Sequence, residues 1–166
     1  MHRHDDGEAF RSLELRPATA DDTPFLMSLF ASTRSDELAL LASDRNQQEA
    51  FIAMQFNAQT WQYNTRYPQA DHSLILWNDA PIGRTLINRG AHEFTLVDIA
   101  LLPAHRGSGI GTYLLQCLFS EATKASKPIK LSVWHSNPAK RLYERMGFSA
   151  RDEAGVYCEM WWNPSS

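Results

Sequence analysis

The sequence predicts an α/β (α+β) domain of about seven strands and about four helices. Short runs that alternate apolar and polar residues, typical of half-buried strands, are interspersed with longer runs whose apolar residues recur every three to four positions, typical of helices. Taken along the chain, these runs give the order β-α-α-β-β-β-α-β-α-β-β. A glycine-rich hexapeptide lies between one apolar strand run and the helical run that follows it.

The N-terminal part of the chain predicts a strand and two helices. Leu13–Arg16 alternates apolar and charged residues as a strand does. Thr19 supplies an N-cap for a helix that runs through about Ser32. A second helix begins near Ser43 and Asp44 and ends at Tyr67, because the proline that follows disfavours helix. Its predicted apolar face consists of Phe51, Met54, Ala58 and Trp61.

The middle of the chain predicts three antiparallel strands. The strand-like runs are His72–Trp77, Ile82–Asn88 and Glu93–Leu102. The first two are joined by Asn78–Pro81, whose residues favour a hairpin turn.

Two further helices and the last strands are predicted after the glycine-rich segment. The first of these helices ends before Lys127 and Pro128. Its apolar face combines Ile110, Leu114, Leu115, Leu118, Phe119 and Ala122. Ile129–Trp134 alternates as a strand, and Val156, Cys158, Met160 and Trp162 alternate in the final one.

Length and composition indicate a single soluble domain. The chain has 166 residues, 43% hydrophobic and 21% charged, and a net charge of −3. We expect a frayed N-terminus over residues 1–12 and one domain over 13–166. The weak net charge argues against a nucleic-acid partner, and no apolar run reaches the length of a membrane span. We therefore expect a cytoplasmic protein with no membrane association.

Cysteine and histidine spacing predicts no metal site. Cys117 lies in an amphipathic helix and Cys158 in an alternating strand, and neither has a partner at metal-ligand spacing. We expect both to be buried, reduced thiols. The six histidines form no helical pair of the type that binds zinc.

The hexapeptide Arg106–Gly111 is the most informative segment. Its glycines let the backbone approach a ligand closely, and the helix after it begins with unpaired N–H groups and a partial positive charge, which together suit a diphosphate. The dinucleotide fingerprint G-x-G-x-x-G fits poorly, because Thr112 stands where the third glycine belongs. The Gly-Lys-Ser/Thr ending of nucleotide hydrolases is absent.

A second motif follows at Asn137–Phe148. Asn137 is a predicted helix N-cap, Pro138 the first helical residue, and Gly147 the left-handed stop. The apolar stripe of this helix, formed by Ala139, Leu142 and Met146, leaves Tyr143 beside it, where a phenol can reach a cleft.

Together, the two motifs resemble the signatures of the GCN5-related N-acetyltransferase (GNAT) family, and the element order agrees from about Leu13 to Trp162. The resemblance implies a mixed, mostly antiparallel twisted sheet with splayed central parallel strands. It also implies transfer of an acetyl group from acetyl-CoA, the cosubstrate, to a primary amine of a small molecule or peptide by direct attack in a ternary complex.

The resemblance implies where the donor binds. The backbone of Ile99 and Leu101 would pair with the pantetheine arm, and Asn137 and Lys140 would lie close to the cofactor. The diphosphate would rest on the segment formed by Arg106, Gly107, Ser108, Gly109, Ile110, Gly111 and Thr112.

The resemblance also implies catalytic roles. Tyr143 matches the proton donor of the family, a role that its place in the signature favours over packing beside Leu142 and Phe148. The N–H of Leu101 would stabilise the oxyanion. Family members carry a glutamate base at positions held here by Thr95 and Ser132. Asp98 stands within the apolar strand, where it either serves as the base or braces a neighbouring element. Glu93 and His135 are weaker candidates.

The missing glutamate leaves the acceptor and even the activity open. A lysine-like amine with a pKa of about 10.4 is far less often neutral at pH 7 than an α-amine near 8, so the sequence leans towards an α-amine. The acceptor wall would combine Arg34, Asp36, Glu37, Trp61, Tyr63, Arg66 and Tyr67, although Trp61 could be core or rim. A non-catalytic acyl-CoA-binding module and a partner-binding subunit remain rival readings. Tyr157–Trp162 would form an interface in the latter or a homodimer seam in an enzyme.

Overall fold

The computed structural model describes residues 12–34, 44–152 and 155–165, and within these ranges the elements follow the predicted order. The strands are β1 (Leu13–Pro17), β2 (Asp71–Trp77), β3 (Ala80–Arg89), β4 (Phe94–Leu101), β5 (Ile129–Trp134), β6 (Ser149–Asp152) and β7 (Tyr157–Trp162). The α-helices are α1 (Thr23–Ser32), α2 (Arg45–Arg66), α3 (Ile110–Lys124) and α4 (Ala139–Arg145). Short 3-10 turns lie at Ala20–Asp22 and Pro103–His105.

One seven-stranded sheet organises the domain, with the strand order β1-β2-β3-β4-β5-β7-β6. β4 and β5 run parallel, and the other neighbouring strands are antiparallel. The predicted α+β class and the mixed, mostly antiparallel sheet are therefore confirmed. The β2–β3 hairpin turns through Asn78 and Asp79, which both adopt positive φ angles (49° and 67°), as a two-residue hairpin turn requires.

Helix α2 buries a different face from the predicted one. Met54 and Trp61 are 62% and 69% exposed, whereas Ile52 and Phe56 are buried against α1 and β2. Two apolar stripes overlap on this helix, and only the stripe that meets the neighbouring elements is buried. The helix begins where it was predicted, and Asp44 caps it, because its side chain accepts a hydrogen bond from the Asn46 N–H at 2.9 Å.

The opposite face of the sheet packs on α3 and α4. Leu115, Leu118 and Ala122 of α3 lie against Ile129 and Leu131 of β5. Cys158 is buried in the same core, as predicted. Cys117 is exposed, so the prediction for that residue is wrong: its position on α3 faces away from the apolar stripe that holds Leu118.

A β-bulge in β4 decides which residues face the site. Leu86 pairs with Asp98 and Ile87 with Leu96, so Val97 is an extra residue in the ladder. Because a bulge reverses the alternation of side chains, Ile99 packs with the α3 core, whereas Asp98 projects to the α2 side.

None of the helices in the described ranges combines the length and the apolar character needed to cross a membrane. Residues 1–11 of the predicted N-terminal tail lie outside these ranges.

Candidate active site

The two central strands diverge almost at once. β4 and β5 are paired only at Phe94 with Ile129 and at Thr95 with Lys130. From Leu96 onward, the edge of β4 that faces β5 has no strand partner in the described chain. A continuous cleft of about 1730 Å³ occupies the gap, and its walls are drawn from both faces of the sheet. The predicted splay of the parallel strands is confirmed.

The glycine-rich loop closes one end of this cleft. Gly107 and Gly109 have φ angles of 71° and 88°, which L side chains rarely adopt, and Gly109 caps α3. A Cβ added at Gly107 or Gly111 would meet no atom within 4 Å, so the loop leaves space for a ligand. The Ile110 side chain is only 2% exposed and anchors the first turn of α3 in the core. A diphosphate fits this arrangement, since the first N–H groups of a helix lack intrahelical partners.

Arg106 fixes the loop to its surroundings. Its Nε donates to the carbonyl oxygen of Leu101 at 3.0 Å, and its Nη2 donates to the hydroxyl of Ser32 at 3.2 Å. The Ser108 hydroxyl donates to the carbonyl oxygen of His105 at 2.7 Å, which stabilises the preceding turn. The side chains of Arg106 and Ser108 thus brace the loop, and its backbone is left to face a ligand.

The second motif forms α4, which begins at Ala139, one residue after the predicted start at Pro138. Asn137 Oδ1 accepts a hydrogen bond from the Ala139 N–H at 2.9 Å. The helix ends at Arg145, and Gly147 follows with a φ angle of 107°, as predicted for a left-handed stop. The cleft is lined by Ile99, Leu101, Arg106, Gly107, Gly109, Gly111, Thr112 and Asn137, among others. The predicted residues Ser108, Ile110 and Lys140 are not among its lining residues.

Tyr143 combines packing with exposure to the cleft. It is 8% exposed, contacts Phe148 edge to face at 5.7 Å between ring centroids, and lines the cleft. Its hydroxyl forms no hydrogen bond with any described residue. Burial, and then the negative charge of Asp98, raise the pKa of Tyr143 to about 12. The phenol therefore holds its proton at neutral pH.

Asp98 is an ion-pair partner of Arg84. Its Oδ2 accepts a hydrogen bond from Arg84 Nε at 2.8 Å and forms an ion pair with Nη2 at 2.6 Å. The same Nη2 donates to Gln59 Oε1 at 3.0 Å, which links the sheet to α2. Of the two roles predicted for Asp98, this geometry favours bracing. The sequence reasoning missed Arg84, although a charged residue inside an apolar strand run signals a buried partner.

Comparison with known proteins fits this geometry. A family model described as an acetyltransferase (GNAT) domain matches residues 69–150. The ribosomal protein bS18-alanine N-acetyltransferase of Haemophilus influenzae is 32% identical over 106 residues, which span 61% of this chain and 73% of that protein. The chain belongs to the GNAT family. It is thus an N-acetyltransferase domain.

Solved structures of GNAT proteins share its fold. The PaiA N-acetyltransferase of Thermoplasma acidophilum, in complex with coenzyme A, superposes with a TM-score of 0.69 at 18% identity and covers 92% of this chain and 99% of its own. The ribosomal-protein-S18-alanine N-acetyltransferase of Escherichia coli gives a TM-score of 0.58 at 18% identity, with 93% and 95% covered.

The other residues considered as the general base are poorly placed to reach an acceptor amine in the cleft. Glu93 forms an ion pair with Lys130 at 3.3 Å, at the closed end of the splay, and does not line the cleft. His135 is exposed and also lies outside the lining. Thr95 and Ser132 both line the cleft, Thr95 buried and Ser132 exposed, but neither side chain is a base.

Helix α2 forms the far wall of the GNAT cleft. Tyr63, Arg66 and Tyr67 line it, as predicted, together with Gln59. Burial, and then the charge of Asp98, raise the pKa of Tyr63 to about 12. Trp61 is exposed and is not a lining residue, so its predicted place in the wall is wrong.

The rest of this wall comes from outside α2. Arg34 lines the cleft as predicted, whereas Asp36 and Glu37 lie outside the described residues. Trp134 and Tyr157 line it from the other side and contact each other edge to face at 5.7 Å.

Proposed function

We propose that this GNAT domain transfers an acetyl group from acetyl-CoA to the primary amine of a peptide or small molecule by direct attack in a ternary complex. One observation carries the proposal: a single cleft runs from the glycine loop, through the gap between β4 and β5, to the wall formed by α2. Two substrates that enter from opposite ends would meet at the gap, beside Tyr143.

The donor end suits coenzyme A. The loop amides from Arg106 to Thr112 would hold the diphosphate, and the open edge of β4 at Ile99 and Leu101 would pair with the amides of pantetheine as a neighbouring strand would. Asn137, just before α4, lines the cleft and would lie along the same arm, whereas Lys140 does not line it. The GNAT neighbour whose structure contains coenzyme A supports this assignment at the level of the fold.

The residues at the gap suit acyl transfer. Tyr143 keeps its proton at neutral pH because burial raises its pKa, so it can supply that proton to the departing thiolate. The N–H of Leu101 would donate to the oxyanion that develops on the acetyl carbonyl.

The acceptor that fits best is an α-amine, as at the N-terminus of a peptide. An α-amine with a pKa near 8 is about one-tenth neutral at pH 7, whereas a lysine amine near 10.4 is neutral in only about one molecule in a few thousand. The bS18-alanine N-acetyltransferases, by their names, act on the alanine of a ribosomal protein. The open, polar wall of α2 leaves room for a peptide end.

Thiol release across an amine panel tests this function. We expect turnover with peptides that have a free N-terminus, and at least tenfold less with the same peptides blocked at the N-terminus and offering a lysine. We also expect acetyl-CoA to raise the melting temperature, since a ligand that binds only the native state stabilises it. If millimolar acetyl-CoA produced no shift and no amine released thiol, the proposed function would be wrong.

A cytoplasmic location and a homodimer through Tyr157–Trp162 also stay predictions. Sedimentation at two protein concentrations tests the second.

A further inference from the structure

The cleft has two lining carboxylates among the described residues, Asp98 and Glu159. Oδ2 of Asp98 is engaged by Arg84, whose side chain is only 9% exposed. Glu159 on β7 is half-buried, and its Oε1 accepts one hydrogen bond from Trp161 Nε1 at 2.6 Å. No lysine or arginine of the described chain forms an ion pair with Glu159. Glu159 is therefore the cleft carboxylate whose charge no cation of the described chain neutralises.

The register of the sheet directs Glu159 towards the acceptor. Glu159 pairs directly with Ser132 of β5, and residues that pair in an antiparallel ladder project from the same face. Its strand neighbours Cys158 and Met160 are fully buried in the α3 core, so Glu159 lies on the opposite, α2-facing side. Ser132 borders the gap between β4 and β5. Glu159 thus lies one strand away from the gap where acyl transfer would occur.

Other charged and titratable groups face Glu159 from each neighbouring strand. Asp152 of β6 pairs with it directly, and Arg151 stacks on the Trp161 ring at 4.3 Å. Lys130 of β5 is occupied by Glu93. Tyr143 lies at the gap and Tyr157 on the same strand. The other charged and titratable residues that line the cleft are Asp98, Arg84, Arg34, Tyr63, Arg66, Tyr67, Arg106 and Arg145.

We propose that Glu159 binds the ammonium form of the acceptor and takes its proton. This inference rests on the proposed function and deepens it. The carboxylate accepts one proton from R–NH3+, and the freed lone pair forms the N–C bond to the acetyl carbon. The C–S bond breaks with its electron pair on sulfur, Tyr143 gives its proton to that thiolate, and the second amine proton restores Tyr143. The proton on Glu159 passes to solvent.

Glu159 suits this task better than Asp98. Protonation of Asp98 would leave the buried Arg84 guanidinium without its counter-charge, which is costly. Protonation of Glu159 at Oε2 leaves the hydrogen bond from Trp161 to Oε1 intact.

The experiment measures kcat/KM for an α-amine from pH 6 to 9, in Glu159→Gln and in two matched control variants. The amide keeps an oxygen for Trp161 Nε1 but cannot accept a proton. Glu144→Gln makes the same change on the exposed surface of α4, outside the cleft lining. Asp98→Asn makes the equivalent change at the other cleft carboxylate. Acetyl-CoA binding is measured on every variant by thermal shift.

We expect Glu159→Gln to lower kcat/KM for an α-amine about 100-fold at pH 7. The deficit should shrink about tenfold per pH unit as the acceptor loses its own proton towards pH 8. Acetyl-CoA should bind this variant as it binds wild type, and Glu144→Gln should match wild type throughout.

Two results would overturn the assignment while the proposed function stands: equal activity of Glu159→Gln and Glu144→Gln, or a pH-dependent deficit found in Asp98→Asn instead. Absence of thiol release from wild type with every amine would overturn the proposed function itself, and this role with it.

Discussion

Arg84 and Asp98 form a partly buried ion pair across β3 and β4, with Nε and Nη2 of the guanidinium 2.8 Å and 2.6 Å from the same carboxylate oxygen. Arg84 also donates to Gln59 and lies 5.9 Å from the centre of the Tyr63 ring. Arg84 therefore adds a polar link between the acceptor wall and the sheet to the apolar packing of Ile52 and Phe56 against β2.

Asp98→Asn should destabilise the fold by about 3 kcal/mol, because it leaves a buried guanidinium without its counter-charge. For a domain of this size, that loss lowers the melting temperature by roughly 6–12 °C. The control is Asp71→Asn, which breaks the ion pair of Asp71 with Arg89, where the side chains are 59% and 34% exposed. That change should cost less than about 1 kcal/mol. Equal melting temperatures for the two variants would contradict a bracing role for Asp98.

Gly111→Val should weaken acetyl-CoA binding at least tenfold without destabilising the free protein. Its Cβ meets no atom within 4 Å, so the side chain fits the fold but would occupy the space proposed for the diphosphate. Ser120→Val, on the exposed side of the same helix, is the control. Isothermal titration of both variants measures the effect. Unchanged acetyl-CoA affinity in Gly111→Val would show that the diphosphate does not bind at this loop.

Tyr143→Phe should lower kcat about 100-fold and leave acetyl-CoA affinity unchanged. The hydroxyl has no hydrogen-bond partner in the described chain, so its removal should change the free energy of unfolding little. Thiol release and urea unfolding of the same preparation separate the two effects. Tyr143 would have only a packing role if Tyr143→Phe were as active as wild type, or if it lost activity only because it unfolds.

Stability should fall as pH rises from 10 to 12. Burial raises the pKa of both Tyr63 and Tyr143 to about 12, whereas in the unfolded chain a tyrosine titrates near 10. Between these values the unfolded state has lost protons that the folded state still holds, so each tyrosine lowers the unfolding free energy by up to about 1.4 kcal/mol per pH unit. Below pH 10 both the folded and the unfolded state hold the tyrosine protons, so these two tyrosines no longer make stability depend on pH. Unfolding of wild type, Tyr63→Phe and Tyr143→Phe at pH 9 and 11 tests this, since each variant should lose part of the pH dependence.

Local patterns were sufficient for most of the fold. The alternation in β5 and β7 and the capping residues of α2 and α4 depend on neighbours a few positions apart, so the sequence displays them directly. Helix α2 was harder, because Phe51, Met54 and Trp61 offer a helical stripe as regular as that of Ile52 and Phe56. Only the packing against α1 and β2 decides between them.

The arrangement of the site was harder to predict from the sequence, because it depends on how the strands are aligned with one another. The bulge at Val97 and the pairing of Ser132 with Glu159 are relations between strands, and no local pattern encodes them. The signal for Glu159 was present, since a carboxylate between the buried Cys158 and Met160 must project to the other face. Its nearness to the gap needed the strand order.

The short parallel pairing has a mechanical consequence. Within the described residues, two ladder pairs, Phe94 with Ile129 and Thr95 with Lys130, are the whole strand-to-strand connection between strands β1–β4 and strands β5–β7. Acetyl-CoA bound along the free edge of β4 would connect these two groups of strands. Amide hydrogen exchange in β5 should then slow on addition of acetyl-CoA. The same contacts between β4 and β5 would then contribute to acetyl-CoA affinity and to the cooperativity of unfolding. A substitution that weakens the β4–β5 pairing should therefore lower both, even if the substituted residue does not contact the ligand.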